Sequence, residues 1–266
     1  IYYKIQMEKN NRILSIEGNI GSGKSTLLSN LKMHYEGNSS IIFVDEPVSE
    51  WETIVDPSDG HNMIQKFYKN QEKYSFPFQM MAYISRLALL KDAYEKNNNC
   101  IIITERSLFT DKYVFAQMLY DDGKIEDINY QIYKKWFDTF AKDFPIDKFI
   151  YVNTLPSNCF VRVTRRSRVG ENNISLNYLQ NCHKYHEEMM TNFKNIIQID
   201  GNIDINENKS QMKEWIHFID RNLITNTELP IIHVPKLESK SSNSDLNFNI
   251  LKMCNCDYDC DCDCDY

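Results

Sequence analysis

The sequence lacks any apolar run long enough to cross a membrane, since none approaches about 18 consecutive apolar residues. Its first residues also lack the apolar segment of a secretory signal peptide and the arginine-rich, acid-free composition of a transit peptide. We therefore expect a soluble cytoplasmic protein with no membrane partner.

Concentrated positive charge is also scarce. The net charge is −7, and the last thirteen residues contribute five Asp without any Lys or Arg, which leaves −2 for the rest of the chain. The one dense basic cluster consists of Arg162, Arg165, Arg166 and Arg168. A cluster of this size suits a few anionic oxygens rather than a polynucleotide backbone, so we expect no nucleic-acid partner.

Cysteine is rare outside the C-terminus. Five of the eight cysteines lie in the Cys-Asp repeat of Cys254–Tyr266, and only Cys100, Cys159 and Cys182 lie elsewhere. The body of the protein therefore looks reduced rather than held together by disulfides.

The length of 266 residues and the apolar content of 42% suit one substantial α/β domain. We interpret residues 1–11 as an N-terminal extension, 12–234 as that domain and 235–266 as a disordered acidic tail. Soft-metal binding by the thiolates of the tail is an alternative interpretation of the repeat.

Five apolar runs of strand length recur along the chain: Ile13–Ile16, Ile41–Asp45, Cys100–Thr104, Lys148–Val152 and Ile196–Ile199. The intervening segments are long enough for helices, including two long candidates at Phe78–Lys96 and Ile125–Lys142. Continuous apolar strands predict a parallel sheet that is covered on both faces. Ligands of such a sheet bind beyond the carboxyl ends of its strands, so the residues after each run are the candidates for a site.

The segment after the first strand fits the pattern G-x-x-x-x-G-K-[ST]. Backbone N–H groups of such a loop cradle nucleotide phosphates, its lysine lies between the β and γ groups, and its serine hydroxyl can ligate Mg²⁺. A glycine-rich turn without a ligand is the alternative. We predict a triphosphate site formed by Gly18, Asn19, Ile20, Gly21, Ser22, Gly23, Lys24, Ser25 and Thr26.

Carboxylates follow the second and third strands. Glu46 precedes Pro47 and could accept the proton of an acceptor hydroxyl during phosphoryl transfer. Glu105 comes where a carboxylate reaches the Mg²⁺ shell, with Arg106 beside it. Considered singly, Glu46 could be an exposed acid at a strand end, and the Glu-Arg pair could be a surface ion pair.

The arginine cluster has helical spacing. Arg162 and Arg166 are one turn apart on the same face, and Arg168 comes just beyond them. A solvated basic face is one interpretation. Beside a phosphate-binding loop, the cluster indicates a lid whose guanidinium groups stabilise transferring charge.

Six separated motifs resemble those of the cellular and viral deoxynucleoside kinases, the family of deoxycytidine and deoxyguanosine kinases. The resemblance covers roughly Arg12 to Phe193. Its motifs are Gly18–Thr26, Glu46-Pro47-Val48, Tyr68 with Ser75-Phe76-Pro77-Phe78-Gln79, Ser85-Arg86, Glu105-Arg106-Ser107 with Asp111, and Arg162–Glu171.

The resemblance implies a P-loop fold with a five-stranded parallel sheet and an Arg-rich lid, usually in a homodimer. It further implies ATP-dependent phosphorylation, with Mg²⁺, of the 5′-hydroxyl of a deoxynucleoside. By the same resemblance, Glu46 is the base, Arg106 holds the 5′ region, Glu105 supports Mg²⁺, and Gln79 reads the base. Tyr68 and Glu171 match the pair that binds the 3′-hydroxyl, while Trp51, Phe78 and Phe115 suit apolar walls.

Two other functions share parts of this pattern. A thymidylate-type nucleotide kinase has the same loop and a basic lid, but it needs a further site for the phosphate of its acceptor. A catalytically inactive structural subunit would be expected to have lost Lys24, Glu46 or Arg106, and all three are present.

The sequence also carries a hypothesis about the base. Arg86 lies seven residues after Gln79, which places both on one face of a helix, and Asp111 can pair with Arg86 in the base pocket. We expect Asp111 to accept from an exocyclic amine and Arg86 to fill the space of a thymine methyl. The resemblance supports a preference for deoxycytidine, deoxyadenosine or deoxyguanosine over thymidine. A structural ion pair between two helices is the alternative.

Overall fold

The computed structural model describes residues 9–168, 170–203, 205 and 208–224. Within them, five strands form one parallel sheet in the order β2-β3-β1-β4-β5, which confirms the predicted α/β fold. The acidic tail predicted for 235–266 and most of the N-terminal extension lie outside the described residues. The strands are β1 (Arg12–Glu17), β2 (Ile41–Val44), β3 (Ile101–Glu105), β4 (Lys148–Asn153) and β5 (Ile196–Asp200).

The strands bury side chains on both faces of the sheet, as their continuous apolar runs predict. Adjacent residues of a strand belong to different cores: Ile13 packs in one and Leu14 in the other, and Ile102 and Ile103 divide in the same way. Full burial of such a side chain contributes about 1.5–3 kcal/mol to stability. Because a parallel sheet needs a crossover after each strand, these two cores also fix the positions of the helices.

The helices cover both faces. Helices α1 and α10 pack on one face through Leu28 and Ile219, whereas α4, α7 and α9 pack on the other through Tyr83, Tyr133 and Met189. The described helices are α1 (Lys24–His34), α2 (Val48–Thr53), α3 (Met63–Lys69), α4 (Gln71–Lys96), α5 (Leu108–Thr110), α6 (Gln117–Asp121), α7 (Asp127–Phe140), α8 (Pro156–Arg166), α9 (Leu176–Thr191) and α10 (Lys209–Ile224). None of the helices in this part of the chain has the length and apolar character needed to cross a bilayer.

Helix α4 begins at Gln71, so the start predicted at Phe78 was wrong. The helix continues through Pro77, a residue that removes one backbone hydrogen bond and usually ends a helix. The side chain of Asn70 caps the true N-terminus by accepting a hydrogen bond from the backbone N–H of Lys73. Helix α7 also differs from the predicted range, since it begins and ends two residues inside Ile125–Lys142.

A π-helix at Asp111–Ala116 joins α5 to α6. Asp111 and Phe115 are approximately one turn apart in this segment, and both residues line the cavity described below. The side chain of Ser107 caps the beginning of this continuous helical segment by accepting from the N–H of Thr110. The residues after β3 therefore turn directly into a helix that faces the phosphate-binding loop.

Candidate active site

A cavity of about 680 Å³ opens at the carboxyl ends of the strands. It brings together residues from all six motifs of the sequence analysis. Seven of the nine loop residues, Ile20 to Thr26, line it, and so do Arg162, Arg165, Arg166 and Arg168 of the lid segment. The predicted substrate residues that line the same cavity are Glu46, Trp51, Tyr68, Phe78, Gln79, Arg86, Arg106, Asp111, Phe115 and Glu171.

The phosphate-binding loop connects β1 to α1 and requires glycine at two close approaches. At Gly18 a Cβ would lie 2.6 Å from the carbonyl oxygen of Val152, and at Gly21 it would lie 2.7 Å from that of Cys159. Both residues also have positive φ, of 143° and 78°. Gly18 and Asn19 are not part of the cavity wall, but their carbonyl oxygens accept hydrogen bonds from cationic side chains of the site.

Lys24 is the first residue of α1 and is buried. Its Nζ donates to the carbonyl oxygen of Asn19 at 2.8 Å. Burial and the charge of Arg106 lower the pKa of Lys24 to about 8, although Glu105 and Glu46 oppose this shift. An anion in the cavity would therefore meet a desolvated ammonium group. This group is mostly charged at neutral pH and loses its proton as the pH rises through about 8.

Ser25 and Glu105 meet at the base of the cavity. The Ser25 hydroxyl donates to Oε1 of Glu105 at 2.7 Å, although the two residues are 80 positions apart in sequence. Hydroxyl and carboxylate oxygens are hard donors, of the kind that Mg²⁺ prefers. The pair fits an Mg²⁺ that is held by one or two protein oxygens and completed by phosphates and water.

Glu46 lies between two guanidinium groups. Its Oε1 is 3.1 Å from Nε of Arg106 and 3.1 Å from Nη2 of Arg86. Burial by itself would raise the pKa of Glu46, but the charges of Arg106, Arg86 and Lys24 outweigh it and lower the pKa to about 2. Glu46 is therefore a carboxylate at neutral and mildly acidic pH.

Arg86 connects the predicted base pocket to this carboxylate. Its Nε donates to Oδ2 of Asp111 at 2.9 Å, so the pairing predicted from sequence is confirmed. Nη1 donates to the carbonyl oxygen of Glu105 at 2.7 Å. Burial raises the pKa of Asp111 to about 6 even though Arg86 opposes it. At neutral pH the two side chains consequently form a buried ion pair.

The arginines of the basic cluster contact different partners. Arg162 donates to the carbonyl oxygen of Ser22 at 3.2 Å, which ties α8 to the phosphate-binding loop. Nη2 of Arg166 lies 2.5 Å from Oε2 of Glu171, and Nη1 of Arg168 lies 3.4 Å from Oε1 of the same residue. Glu171 thus joins the lid to the part of the cavity that contains Tyr68, and its charge contributes to the raised pKa of Tyr68, which burial mainly causes.

Aromatic rings form another part of the cavity wall. The ring of Phe78 stacks on Phe67 at a centroid distance of 4.5 Å, and Trp51 meets it edge-on at 5.7 Å. Nε1 of Trp51 donates to Ser85, which fixes the orientation of the indole. Phe115 packs against the guanidinium of Arg106 at 5.0 Å. These rings give the cavity an apolar surface that suits a planar ring.

Sequence reasoning missed several residues of the site. His186 on α9 contacts Arg106 inside the protein, and an isolated histidine in an amphipathic helix gives no signal of such a role. The far end of the cavity, beside the phosphate-binding loop, is lined by apolar residues after β5 and on α10. Their spacing is the same as that of ordinary core residues, and they are Ile203, Ile205, Met212 and Trp215.

Comparison with known proteins identifies this architecture. The deoxynucleoside kinase family model matches residues 14–225. The chain belongs to the deoxynucleoside kinase family. This deoxynucleoside kinase is therefore a phosphotransferase, and its family implies ATP as phosphate donor.

Relatives come from a virus and from vertebrates. The kinase is 38% identical to a probable deoxycytidine kinase of fowlpox virus over 67% of its own length and 71% of the relative. Human deoxycytidine kinase is 32% identical, with 73% of this chain and 84% of the relative covered. The mitochondrial deoxyguanosine kinase of Xenopus laevis is 31% identical, with 67% and 72% covered. Relatives of both kinds at similar identity leave the base preference to be argued from the site.

The position of Lys24 predicts an alkaline limb in the kinetics of the kinase. Only the charged ammonium attracts phosphates, so kcat/KM for ATP is expected to fall as the pH rises through about 8. This parameter reports the free enzyme, whereas kcat reports the complex, in which bound phosphates raise the pKa of Lys24. The fall in kcat should therefore occur at higher pH than the fall in kcat/KM. Measurement of both parameters as a function of pH tests this.

The Lys24→Arg variant is the matched control, because its guanidinium stays charged over the whole range. This variant is expected to be less active than wild type at every pH. Its kcat/KM for ATP should no longer fall as the pH rises through about 8. An unchanged limb in this variant would assign the titration to another group.

Proposed function

We propose that this kinase transfers the γ-phosphoryl group of ATP, with Mg²⁺, to the 5′-hydroxyl of a deoxynucleoside and favours deoxycytidine, deoxyadenosine or deoxyguanosine over thymidine. The buried Arg86–Asp111 pair at the predicted base pocket carries the preference. The remaining assignments rest on one cavity that holds a phosphate-binding loop, a carboxylate between two arginines and an aromatic wall.

In the proposed reaction, the 5′-oxygen forms a bond to the γ-phosphorus while the bond to the β–γ bridging oxygen breaks and ADP leaves. The proton of the hydroxyl passes to Glu46. A carboxylate with a pKa of about 2 is a weak base, so it accepts the proton late, once bonding to phosphorus has made the hydroxyl acidic. Arg106 holds Glu46 in place, and Lys24 and Arg166 offset charge on the transferring group.

The donor would lie along the phosphate-binding loop. Ser25 and Glu105 are the proposed Mg²⁺ ligands, and the bound ion would offset charge on the β- and γ-phosphates. The apolar end of the cavity, with Met212 and Trp215, suits the flat ring of a nucleotide base. Arg162 and Arg168 are proposed to close over the triphosphate from the lid.

The acceptor would occupy the aromatic half of the cavity. Gln79 is buried, and its Oε1 has no hydrogen-bond partner among the described residues, so it offers an acceptor to a base edge. Tyr68 and Glu171 are proposed to bind the 3′-hydroxyl. Trp51, Phe78 and Phe115 are proposed as walls for the sugar and base.

The described cysteines, Cys100, Cys159 and Cys182, are all free thiols and are buried. Free thiols are typical of a reducing compartment, so we propose that the kinase acts in the cytoplasm. Fractionation of cells that produce the full-length chain tests this, and recovery from a secretory or organellar fraction would contradict it.

Replacement of the proposed base is expected to affect turnover far more than folding. Glu46→Gln keeps the size of the side chain but removes most of its basicity, and kcat should fall by about 10²–10⁴-fold. Glu50→Gln is the matched control, since Glu50 is an exposed acid on the neighbouring helix α2. Thermal unfolding establishes that both variants are folded, and wild-type turnover in folded Glu46→Gln would remove Glu46 from this role.

The base preference is tested with the four deoxynucleosides in the presence of ATP, with and without chelation of Mg²⁺. Wild-type enzyme is expected to use thymidine least and to stop when the cation is removed. Arg86→Met should lose activity because it leaves the buried Asp111 unpaired and removes one partner of Glu46. Asp111→Ala should also lose activity, because it leaves the buried Arg86 with Glu46 as its remaining ion-pair partner. Together they should open the pocket and raise the ratio of thymidine to deoxycytidine kcat/KM.

Lys91→Met on the exposed side of the same helix is the control for the loss of one cation from α4. An unchanged thymidine ratio in the double variant would show that the ion pair does not set specificity. The absolute kcat of that variant should still be low, since Arg86 also contacts Glu46 at 3.1 Å.

We propose further that the kinase forms a homodimer through the exposed faces of α4 and α7. Helix α7 presents an apolar stripe with a spacing of four residues, formed by Ile128, Ile132, Trp136 and Phe140, and Trp136 is 48% exposed. The rings of Trp136 and Phe140 stack at 5.7 Å, so they form one contiguous apolar patch. Exposed stripes of this kind are typical of interfaces between subunits.

Trp136→Glu is expected to convert a dimer into a monomer, because a charge would be buried at the centre of the interface. Analytical ultracentrifugation at micromolar concentration measures the mass. Phe218→Glu, at an exposed aromatic residue of α10, is the control that should leave the mass unchanged. A wild-type protein that sediments as a monomer would contradict the proposal.

A further inference from the structure

His186 is a fully buried histidine on α9 that touches the reaction centre from inside the protein. Its Nδ1 lies 2.7 Å from the carbonyl oxygen of Cys182, one turn earlier in the helix. Its Nε2 lies 3.3 Å from Nη1 of Arg106. The imidazole does not belong to the cavity wall, so it cannot act on a substrate directly.

The two contacts determine which ring nitrogen carries the proton. An arginine side chain only donates, and therefore Nε2 must accept from Arg106 with a lone pair. The carbonyl oxygen of Cys182 only accepts, and therefore Nδ1 must carry the hydrogen. Burial, followed by the charge of Arg106, lowers the pKa of His186 well below its usual value, so the ring is neutral.

The backbone of Arg106 is strained, and its guanidinium group has several partners. Its backbone has a φ of 66°, which a residue with a side chain rarely adopts. Nε faces Glu46 at 3.1 Å, and Nη1 donates to the carbonyl oxygen of Gly18 at 2.9 Å. His186 adds a second acceptor at Nη1, on the side of the guanidinium group that is turned away from Glu46.

We propose that His186 is a positioning residue for phosphoryl transfer, whose Nε2 lone pair fixes the rotation of the Arg106 guanidinium so that Nε meets Glu46. The proposal rests on the proposed role of Arg106 beside the 5′-hydroxyl. It connects α9, the helix that follows the lid, to the carboxylate that receives the proton. The contact between Nε2 and Arg106 distinguishes this role from a purely structural one, because the bond to Cys182 by itself would set the same tautomer.

Two substitutions of similar size test the contacts of Nε2 and Nδ1 separately. The amide of His186→Gln can place an oxygen near the position of Nε2 and accept from Arg106. The shorter His186→Asn can donate to the carbonyl oxygen of Cys182 but does not reach Arg106. We expect kcat to fall about tenfold in the Asn variant and by less than about threefold in the Gln variant.

The KM for ATP and for the deoxynucleoside should change by less than about threefold in both variants, because the groups that bind the substrates are intact. Met190→Ala, a buried residue of the same helix, is the control for lost packing and should lower thermal stability without this loss of kcat. Equal losses of kcat in the Asn and Gln variants would overturn the proposal.

The Arg106→Ala variant separates this proposal from the proposed function. In its background, the Asn and Gln substitutions should give the same single-turnover rate, since the group that His186 positions is absent. If Arg106→Ala itself turned over like wild type, the role of Arg106 would be wrong and the proposal would fall with it. If Arg106→Ala is impaired but the Asn and Gln variants of the intact enzyme are equal, only the role of His186 fails.

Nitrogen NMR of histidine-labelled wild-type enzyme tests the tautomer directly, without relying on the activity of a variant. At pH 7, one ring should show a protonated Nδ1 and a bare Nε2, and this signal should disappear in His186→Gln. A protonated Nε2 in His186 would overturn the proposal, because that nitrogen could not accept from Arg106.

Discussion

The rest of the site depends on the contacts that the guanidinium group of Arg106 makes. It has only donors, and its partners come from four separate segments: Gly18 before α1, Glu46 after β2, His186 on α9 and the ring of Phe115 in the π-helix. Each segment is fixed by its own packing against the sheet. The carboxyl ends of β1, β2 and β3 must therefore be in register before the donor and acceptor halves of the cavity can face each other.

Burial of so many charges is costly, and the structure offsets the cost by alternating their signs. Lys24, Arg86 and Arg106 are nearly buried beside Glu46, Glu105 and Asp111. Removal of one member leaves its neighbours desolvated and unpaired, which is more damaging than the loss of a single surface ion pair. The same arrangement explains opposite pKa shifts in two carboxyl groups that share Arg86: two arginines lower that of Glu46, whereas burial raises that of Asp111.

The sequence predicts those parts of the molecule that arise from local pattern. The five strands follow from short apolar runs, and the phosphate-binding loop follows from glycine spacing, because both depend on neighbours in the chain. Helix α4 shows where local rules fail, since packing and the Asn70 cap outweigh Pro77. His186 and Trp215 show a second failure, because a side chain on an amphipathic helix gains its role from a partner far away in sequence. The contact of Arg86 with Glu46 likewise could not be predicted, although its pairing with Asp111 could.

The π-helix at Asp111–Ala116 limits which insertions and deletions this part of the chain can tolerate. A wide turn of this kind holds one residue more than a regular α-helix would need to span the same length. Loss of one codon here would let the segment relax into regular turns and rotate everything beyond it by about 100°. Met118 and Leu119, both fully buried in α6, would then turn away from the core. The number of residues in this segment is therefore constrained by the packing of the helix that follows it.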